Sequence, residues 1–461
     1  MHELRSLDLF TGIGGFALAL KGICRPVAMC DLDPDAREVL RCRMTERRLE
    51  TCPVFDDVTA LKANDLPLAV DVIVGGWPCQ DLSAVGLRRG LGGARSGLVR
   101  EVFRLMDETG AQGALLENVP RLLAPGNGFH EVLNAFVLER GFDVSWCVLS
   151  AGAVGAPHVR RRLYLWVRKP SFEHEWAEGS LHHEPFDWGK DKEPARMVCS
   201  DDTVVNHRNK RQMLLGNAVV PDALRSAFFV LASGFRKAAR PDGKGLRIES
   251  PCENMLKEFP FESLTDKKFE VPRWGHARAR NGAVQVLAFA MPKLLAPDLG
   301  LVLDPAAFFY DGPLQAPRNG MERSPPVTEP MTLHSWSTPR SITCAARLLS
   351  ERVSRDLPTQ VRFEKSTPNE LRDGQINTGF VEYLMGYPAN WTKLPSHWKT
   401  TAPVGYRPGQ IAKKKLKKDA EDAARLARAK PEDAARLARA KPETEEDEAE
   451  ADAENDDEED E

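Results

Sequence analysis

The sequence predicts an α/β fold, and three features of the chain lead to this class. Short apolar runs alternate with helical patterns up to about residue 168, which is typical of strands separated by helices. From about residue 240 to 400 the chain is rich in Pro and Arg and has few long periodic stretches, as in a smaller, irregular domain. The remaining residues carry long runs of charge, which predict a disordered tail.

The elements of the first region follow from its apolar periodicity. Strands alternating with helices favour a parallel sheet with right-handed crossovers. In such sheets the loops at the carboxyl ends of the strands form a ligand crevice. The predicted strands are residues 6–10, 27–30, 71–74, 114–116, 144–150 and 163–167, and the predicted helices are 34–47, 98–108, 129–140 and, after a turn, the rest of 214–231.

The tail changes the charge balance of the chain. The unit EDAARLARAKP occupies residues 421–431 and again 432–442, and 14 of the 19 residues in 443–461 are acidic. Removing those 14 negative charges from a net charge of −4 leaves +10 on residues 1–442. A basic body suits a polyanionic partner such as nucleic acid, although solubility alone would also explain it.

Several function classes are disfavoured by composition. The nine cysteines are irregularly spaced and form no Cys-x-x-Cys pair, which predicts reduced thiols in an intracellular protein and no metal site. No run of 18 apolar residues occurs, so no membrane span is expected. The N-terminus lacks a charged-then-apolar signal segment. We therefore expect a cytoplasmic, monomeric protein.

A glycine-rich turn follows the first predicted strand in LDLFTGIGGFALAL, residues 7–20. Gly12, Gly14 and the next glycine would let the backbone approach a ligand closely, although a purely structural turn fits equally well. Asp31, one strand later, could accept hydrogen bonds from ribose hydroxyls or could cap the helix before Pro34. Asp57 could accept from an adenine amino group or could be an ordinary turn aspartate.

A cysteine and a glutamate each follow an apolar run that predicts a strand. Cys79 lies in GGWPCQDLS, residues 75–83, and Glu117 lies in ALLENVP, residues 114–120. Further along, strand alternation would point Arg160 and Arg162 to one side and Arg161 to the other. A nucleophile, an acid and a pair of guanidinium groups fit covalent catalysis on an electron-poor ring.

Taken together, these motifs resemble those of the DNA (cytosine-5) methyltransferase family over most of residues 5–232. FTGIGG resembles its S-adenosylmethionine motif, GGWPCQDLS its Pro-Cys-Gln motif, ENV its glutamate motif, PHVRRR its Gln-x-Arg-x-Arg motif and LLGNAVVP its last motif. The resemblance implies S-adenosyl-L-methionine as the cofactor. The residues that it places against the cofactor are Phe10, Gly12, Gly14, Asp31, Leu32, Asp57, Val58, Gly76, Pro78, Asn217 and Val219.

The resemblance also implies a mechanism and a domain organisation. Cys79 would add to carbon 6 of a flipped-out cytosine in duplex DNA, Glu117 would stabilise charge at ring nitrogen 3, and Arg162 with Arg160 would hold the base. The loop of residues 83–97 would close over the DNA, unless it is a plain surface loop. We expect a Rossmann-like methyltransferase domain at 1–235, a target-recognition region at 236–400 and the charged tail at 401–461.

The sequence departs from the family pattern in two ways. His158 stands where the family has the glutamine of its arginine motif. In the family, the recognition domain usually lies between the arginine motif and the last motif, which is called the Gly-Asn motif below. In this chain that interval is residues 168–212, which are too few to form a recognition domain. GFVEYLMGYPANWT, residues 379–392, resembles a segment that normally precedes that motif. We therefore expect a rearranged order, with residues 377–392 packing back on the catalytic domain, although an ordinary amphipathic core helix would also fit.

Three functions remain open at this stage. The first is a DNA methyltransferase of prokaryotic or phage type, with or without a cognate restriction endonuclease. The second is a tRNA-cytosine methyltransferase, since one branch of the family acts on RNA. The third is a non-catalytic DNA-binding relative, which the presence of Cys79, Glu117, Arg160 and Arg162 disfavours. The enzyme would be cytoplasmic in a prokaryotic or phage-infected cell and nuclear in a eukaryote.

Overall fold

The computed structural model describes eleven stretches of the chain, all of them within one compact unit, residues 1–401. Cys79, the predicted loop up to residue 96 and the predicted tail lie outside the described residues. The described residues are 3–78, 97–172, 174, 184–189, 192–198, 205–233, 258–260, 273–280, 283–288, 375–395 and 397–398.

A mixed sheet forms the centre of the described structure. Its strands are β1 (Leu4–Leu9), β2 (Cys24–Cys30), β3 (Val54–Phe55), β4 (Val72–Gly76), β5 (Gly113–Asn118), β6 (Asp143–Ser150), β7 (Arg161–Arg168), β9 (Glu258–Pro260), β10 (Trp274–Arg280) and β11 (Ala283–Ala288). Their spatial order is β3-β2-β1-β4-β5-β7-β6-β10-β11-β9. A separate antiparallel pair joins β8 (Met197–Val198) to β12 (Gln375–Ile376).

All six predicted strands are present, and the α/β, Rossmann-like fold class is confirmed. The strands from β3 to β5 pair in parallel, but the prediction of a wholly parallel sheet was wrong. β7 runs antiparallel to both of its neighbours, β5 and β6. The reason is the short connection of residues 151–160, because a parallel crossover needs a dozen or more residues.

The helices lie between the strands as α1 (Gly15–Ala19), α2 (Pro34–Thr45), α3 (Gly97–Thr109), α4 (Phe129–Leu133), α5 (Val205–Asn217), α6 (Pro221–Ser233) and α7 (Thr378–Leu384). After α4 the chain continues as a π-helical turn, Asn134–Leu138. α2 begins where expected, because Pro34 occupies its first turn and the Asp33 carboxylate accepts hydrogen bonds from two backbone N–H groups of that turn.

The first part of α5, residues 205–213, was not predicted as a helix from the sequence. Arg208, Lys210 and Gln212 of this helix are buried, at 7%, 8% and 6% exposure. Their buried positions are polar, so the apolar periodicity that identifies a helix is absent from the sequence.

Apolar side chains cover both faces of the sheet. One cluster packs α1, α5, α6 and α7 against residues such as Val74, Leu115 and Tyr164. The other packs α3 and α4 against residues such as Ile73 and Leu116. The stretch His207–Ala232 is long and apolar enough to pass for a membrane span by composition, but 89% of its apolar part is buried in this core. It also forms two helices, α5 and α6, rather than one.

Three strands come from the region after residue 235. β10 pairs with β6, from Trp274 opposite Cys147 to Ala277 opposite Val144, and therefore extends the central sheet. β11 and β9 continue it outwards. The division of function at residue 235 stays a prediction.

Candidate active site

The predicted site residues meet at one edge of the sheet. β1, β4 and β5 are parallel, so their carboxyl ends lie at the same edge, and the antiparallel β7 begins there. The turn after β1, the Pro78 segment after β4, the Glu117 end of β5 and the Arg162 start of β7 therefore share one crevice.

The turn after β1 forms an open cradle. Phe10, Gly12 and Gly14 all have positive φ angles, of 54°, 55° and 84°, so the chain reverses sharply before α1. A Cβ added to Gly12 would meet no atom within 4 Å, which means that this part of the turn faces open space. At Gly14 the positive φ disfavours any residue with a Cβ, and an added Cβ would also lie 2.8 Å from the Leu49 Cδ1 atom.

Asp31 borders this cradle and is not a helix cap. Its carboxylate accepts hydrogen bonds from the Gly12 N–H at 2.6 Å and the Asp33 N–H at 2.9 Å. The cap of α2 is Asp33 instead. Burial raises the pKa of Asp31 to about 6, and the two N–H groups offset part of that effect. Next to it, the apolar Leu32 side chain is 57% exposed.

The other residues predicted to bind the cofactor make contacts that do not by themselves indicate a ligand site. Asp57 accepts hydrogen bonds from the Thr59 N–H and hydroxyl, at 2.8 and 2.7 Å, which is the behaviour of a turn aspartate. Val58 is buried. Asn217, at the end of α5, is exposed, and Val219 packs close to Gly15 at the start of α1. Contacts of these residues with the cofactor stay predictions.

Glu117 and Arg162 form the ionic centre of the crevice. The Arg162 Nε atom lies 2.8 Å from the Glu117 Oε1 atom, and both side chains are largely buried. Burial raises the pKa of Glu117, while the charges of Arg162 and Arg160 partly counteract this. Gly76 makes room for the pair, because a Cβ at this position would lie 2.7 Å from the Glu117 Oε2 atom.

Arg160 has different hydrogen-bond partners from Arg162. Its buried guanidinium donates to the backbone carbonyls of Gly216 and Ala218, at 3.1 and 2.7 Å. It therefore holds the Gly-Asn turn between α5 and α6. Burial lowers the pKa of Arg160 to about 9, with Arg162 adding to the effect and Glu117 opposing it. The predicted role of Arg160 in holding the base stays a prediction.

His158 joins the arginine motif to α7. Its Nε2–H donates to the Leu384 carbonyl at 2.9 Å, and the ring is buried. Burial lowers the pKa of His158 to about 3, so the imidazole is neutral at physiological pH. The substitution of the family glutamine thus retains a neutral hydrogen-bonding group at this position.

The segment after α7 packs on the turn after β1 and on the stretch between α5 and α6. The Tyr387 hydroxyl donates to the Val219 carbonyl at 3.1 Å, and the Trp391 Nε1–H donates to the Ile13 carbonyl at 2.8 Å. Arg43 of α2 donates to the backbone carbonyls of Asn390 and Trp391. The two buried aromatic residues were visible in the sequence, but their partners lie more than 160 residues away.

No cluster of three or more potential metal ligands occurs in the part of the chain that the structure describes. The sheet, its reversed strand β7 and the crevice with a carboxylate beside a glycine turn define a Rossmann-like methyltransferase.

Comparison with known proteins indicates which family of methyltransferases this is. Residues 4–228 match the family model described as C-5 cytosine-specific DNA methylase. The chain is 28% identical over 392 residues to the type II methyltransferase M.CviJI of Paramecium bursaria Chlorella virus IL3A, covering 84% of this chain and 96% of the relative. It is 32% identical over 168 residues to M2.BsuMI of Bacillus subtilis (strain 168), covering 35% and 41%.

Among solved structures, the chain is similar to the S. pombe Dnmt2 methyltransferase, with a TM-score of 0.30 and 20% identity over 45% of this chain and 60% of that one. It thus spans nearly all of the viral relative and less than two thirds of the other two proteins. The chain belongs, through residues 4–228, to the DNA (cytosine-5) methyltransferase family. It is an S-adenosylmethionine-dependent enzyme of DNA cytosine methylation.

Proposed function

We propose that the protein methylates carbon 5 of a flipped-out cytosine at a specific site in duplex DNA, through a covalent bond to Cys79. The observation that carries this proposal is the buried Glu117–Arg162 pair at the crevice, 2.8 Å apart and beside the end of β4. A carboxylate buried there is costly unless it has a task. Cys79 follows the end of β4 by three residues in the sequence, and its thiol is the nucleophile of this proposal.

The residues of the chain fit the cofactor. Gly12 leaves open space where a ligand can approach the backbone, and Asp31 offers a carboxylate to ribose hydroxyls. The exposed Leu32 side chain offers an apolar surface to adenine. Asp57, Val58 and the other predicted cofactor residues complete this set. Bound S-adenosylmethionine supplies an electrophilic methyl group.

The proposed reaction begins at Cys79. Its thiolate forms a bond to carbon 6 of cytosine, and the electron pair of the carbon 5–carbon 6 double bond moves into the ring. Glu117, whose pKa burial raises, takes up a proton and donates it to ring nitrogen 3. Carbon 5 thereby becomes an enamine carbon, able to accept the methyl group. Arg162 keeps the Glu117 carboxyl in place.

The reaction ends with elimination. After methylation, carbon 5 loses its proton to a base from the solvent, and that electron pair restores the double bond. The bond between sulfur and carbon 6 breaks, and the Cys79 thiolate leaves. Nitrogen 3 returns its proton to Glu117. Because a stacked base cannot reach the thiol, the cytosine must leave the duplex, at a cost of roughly a few kcal/mol.

The proposal also covers the substrate and the partners of the enzyme. Duplex DNA is the proposed substrate, and residues 236–400 are proposed to choose the sequence, because base-edge contacts rather than phosphate contacts carry sequence information. A cognate restriction endonuclease is a possible partner of an enzyme of this kind, and we propose a monomer as the active form.

The test is covalent trapping. Duplex DNA with 5-fluorocytosine at the methylated site should form a stable adduct with the wild-type protein and cofactor, since fluorine cannot leave carbon 5 as a proton does. Cys79→Ser should form no adduct, whereas Cys42→Ser, the same change at a half-buried cysteine of α2, should form it normally. An active wild-type enzyme that is never trapped would refute the thiol addition. Labelled methyl transfer to tRNA but not to DNA would refute the substrate.

A further inference from the structure

We propose that Lys210, on α5, is a positioning residue that holds the turn of residues 31–35 in the geometry that binds the cofactor. This inference rests on the proposed function, because it assumes that Asp31 binds the cofactor. Lys210 lies outside every motif identified in the sequence.

Lys210 is a buried cation between two carboxylates. Its Nζ atom lies 2.9 Å from the Asp33 Oδ2 atom and 3.0 Å from the Asp35 Oδ2 atom. The Lys210 side chain is 8% exposed, and Asp35 is fully buried. Burial lowers the pKa of Lys210, but the hydrogen bonds and charges of the two aspartates outweigh burial and raise it overall, so the ammonium group stays charged. A buried charge is maintained only where it is paired.

The paired aspartates are connected directly to Asp31. The Asp33 N–H donates to the Asp31 Oδ1 atom at 2.9 Å, and the Asp33 Oδ1 atom caps α2 by accepting from the Asp35 and Ala36 N–H groups. Asp33 therefore fixes both the Asp31 carboxylate and the start of α2. Its remaining oxygen, Oδ2, is the one that Lys210 binds.

The sequence explains why a cation is needed here. DLDPD, residues 31–35, contains three acids within five residues. Burial and, to a smaller extent, the charge of Asp33 raise the pKa of Asp31. Lys210 pairs with Asp33 and Asp35, which leaves Asp31 as the carboxylate available to a ligand.

The C-terminal segment closes the same cluster. The Trp398 Nε1–H donates to the Asp35 Oδ1 atom at 2.8 Å, and the His207 Nε2–H donates to the Trp398 carbonyl at 2.8 Å. His207 and Lys210 lie one helical turn apart on α5. The helix ends at Asn217, whose neighbouring carbonyls bind Arg160. One rigid helix thus connects the Asp31 turn to the arginine motif, about 10 Å further along its axis.

Loss of Lys210 should affect cofactor binding in two ways. The Asp33 carboxylate would lose one of the contacts that fix it, which loosens the turn whose Asp33 N–H orients the Asp31 Oδ1 atom. The charge of Asp33, no longer compensated, would also make Asp31 harder to ionise. The other charged or titratable groups facing Asp31 are Asp8 of β1, Cys30 of β2 and Arg37 of α2, and the variant leaves all three unchanged.

The experiment compares Lys210→Met with a matched control. Lys192→Met removes a lysine from an exposed ion pair with Asp187, which is not one of the residues of the cofactor turn. We expect Lys210→Met to raise the dissociation constant of S-adenosylmethionine, measured by calorimetry, by about tenfold or more at pH 7.5. The KM for the cofactor should rise equally while kcat at saturating cofactor changes by less than about threefold. Lys210→Arg should restore most of the affinity, and Lys192→Met should bind like the wild type.

A pH series gives a readout that a purely structural role would not move. The affinity of the wild type should fall as the pH drops through about 6, where Asp31 takes up a proton. In Lys210→Met the midpoint of this fall should move to higher pH. If Lys210→Met does not fold, Lys210→Gln, which keeps a hydrogen-bond donor, replaces it with the same expected results.

The outcomes separate this inference from the proposed function. A folded Lys210 variant that binds the cofactor like the wild type, with an unmoved pH midpoint, overturns the inference alone. A variant that lowers kcat and leaves KM unchanged also overturns it, since Lys210 would then act on the reaction rather than on the cofactor. A wild-type protein that does not bind S-adenosylmethionine at all overturns the proposed function together with the inference.

Discussion

Arg160 and Arg162 lie two residues apart, yet their contacts predict opposite consequences when each is replaced by methionine. Arg160 donates two hydrogen bonds to the carbonyls of Gly216 and Ala218 from a buried position. Arg162 instead lies against Glu117 in the crevice. Arg160→Met should therefore reduce folding stability and cofactor binding, whereas Arg162→Met should reduce the rate of methyl transfer.

The size of each effect follows from the contacts. Hydrogen bonds from a charged group contribute about 1.5–3 kcal/mol each, and the removal of a buried charge returns part of that energy, so Arg160→Met should lower the free energy of unfolding by about 2–4 kcal/mol. Arg162→Met leaves Glu117 without its partner, but this carboxyl can take up a proton because burial already raises its pKa. The stability loss should be about 1–2 kcal/mol.

Two assays separate the variants. Denaturant unfolding measures stability, and single-turnover transfer of labelled methyl groups at saturating cofactor measures chemistry. Arg162→Met should slow single turnover by about 100-fold or more, because it removes the group that orients the Glu117 carboxyl. Arg160→Met should be much less affected at saturating cofactor. If Arg160→Met unfolds like the wild type but loses single-turnover chemistry, Arg160 contacts the base and the distinction drawn here is wrong.

Three further predictions concern the crevice, α7 and site choice. Gly76→Ala should displace the Glu117 carboxylate and lower kcat by about 100-fold. The control Gly379→Ala, whose added Cβ meets only ordinary contacts, should leave kcat unchanged. Equal kcat values for the two variants in stopped-time assays would contradict the role of Gly76. The wild type should lose stability as the pH falls from about 6.5 towards 3, because the unfolded chain binds a proton at His158 that the folded state excludes. His158→Gln should lose less in the same denaturant series, and identical slopes would count against the buried neutral ring. Replacing residues 289–374 with the corresponding segment of M.CviJI should change the methylated sequence found by bisulfite sequencing, and an unchanged sequence would place recognition elsewhere.

The parts of the fold that the sequence predicted are those with local signals. The six strands are short apolar runs, and α2 has Pro34 and a capping aspartate at its start. The ionic centre was also predictable, because Glu117 and Arg162 each stand at the end of an apolar strand where a charge would be costly without a purpose. In these cases one short window of sequence contains the physical reason.

The parts that it did not predict depend on distant partners. Lys210 reads as one more charge in a polar stretch, and only the fold brings it to Asp33, 177 residues earlier. Strand alternation likewise predicted that Arg160 and Arg162 point to the same side, but residue 160 precedes β7, which begins at Arg161. Alternation therefore does not apply to Arg160, and the carbonyls of the Gly-Asn turn determine where it points.

The unusual motif order costs little free energy. The segment after α7 can therefore pack on the turn after β1 although it lies much later in the sequence. α6 ends at Ser233 and α7 begins at Thr378. Each doubling of the length of a connecting loop adds only about 0.6 kcal/mol of closure entropy. A connection four times as long as another therefore costs only about 1.2 kcal/mol more. Phe380, Tyr387 and Trp391 are almost completely buried, and each such side chain contributes about 1.5–3 kcal/mol. The packing energy therefore exceeds the entropy cost several times over. What the crevice requires is that this segment reaches Val219 and Ile13, and its position in the sequence relative to the Gly-Asn motif matters little.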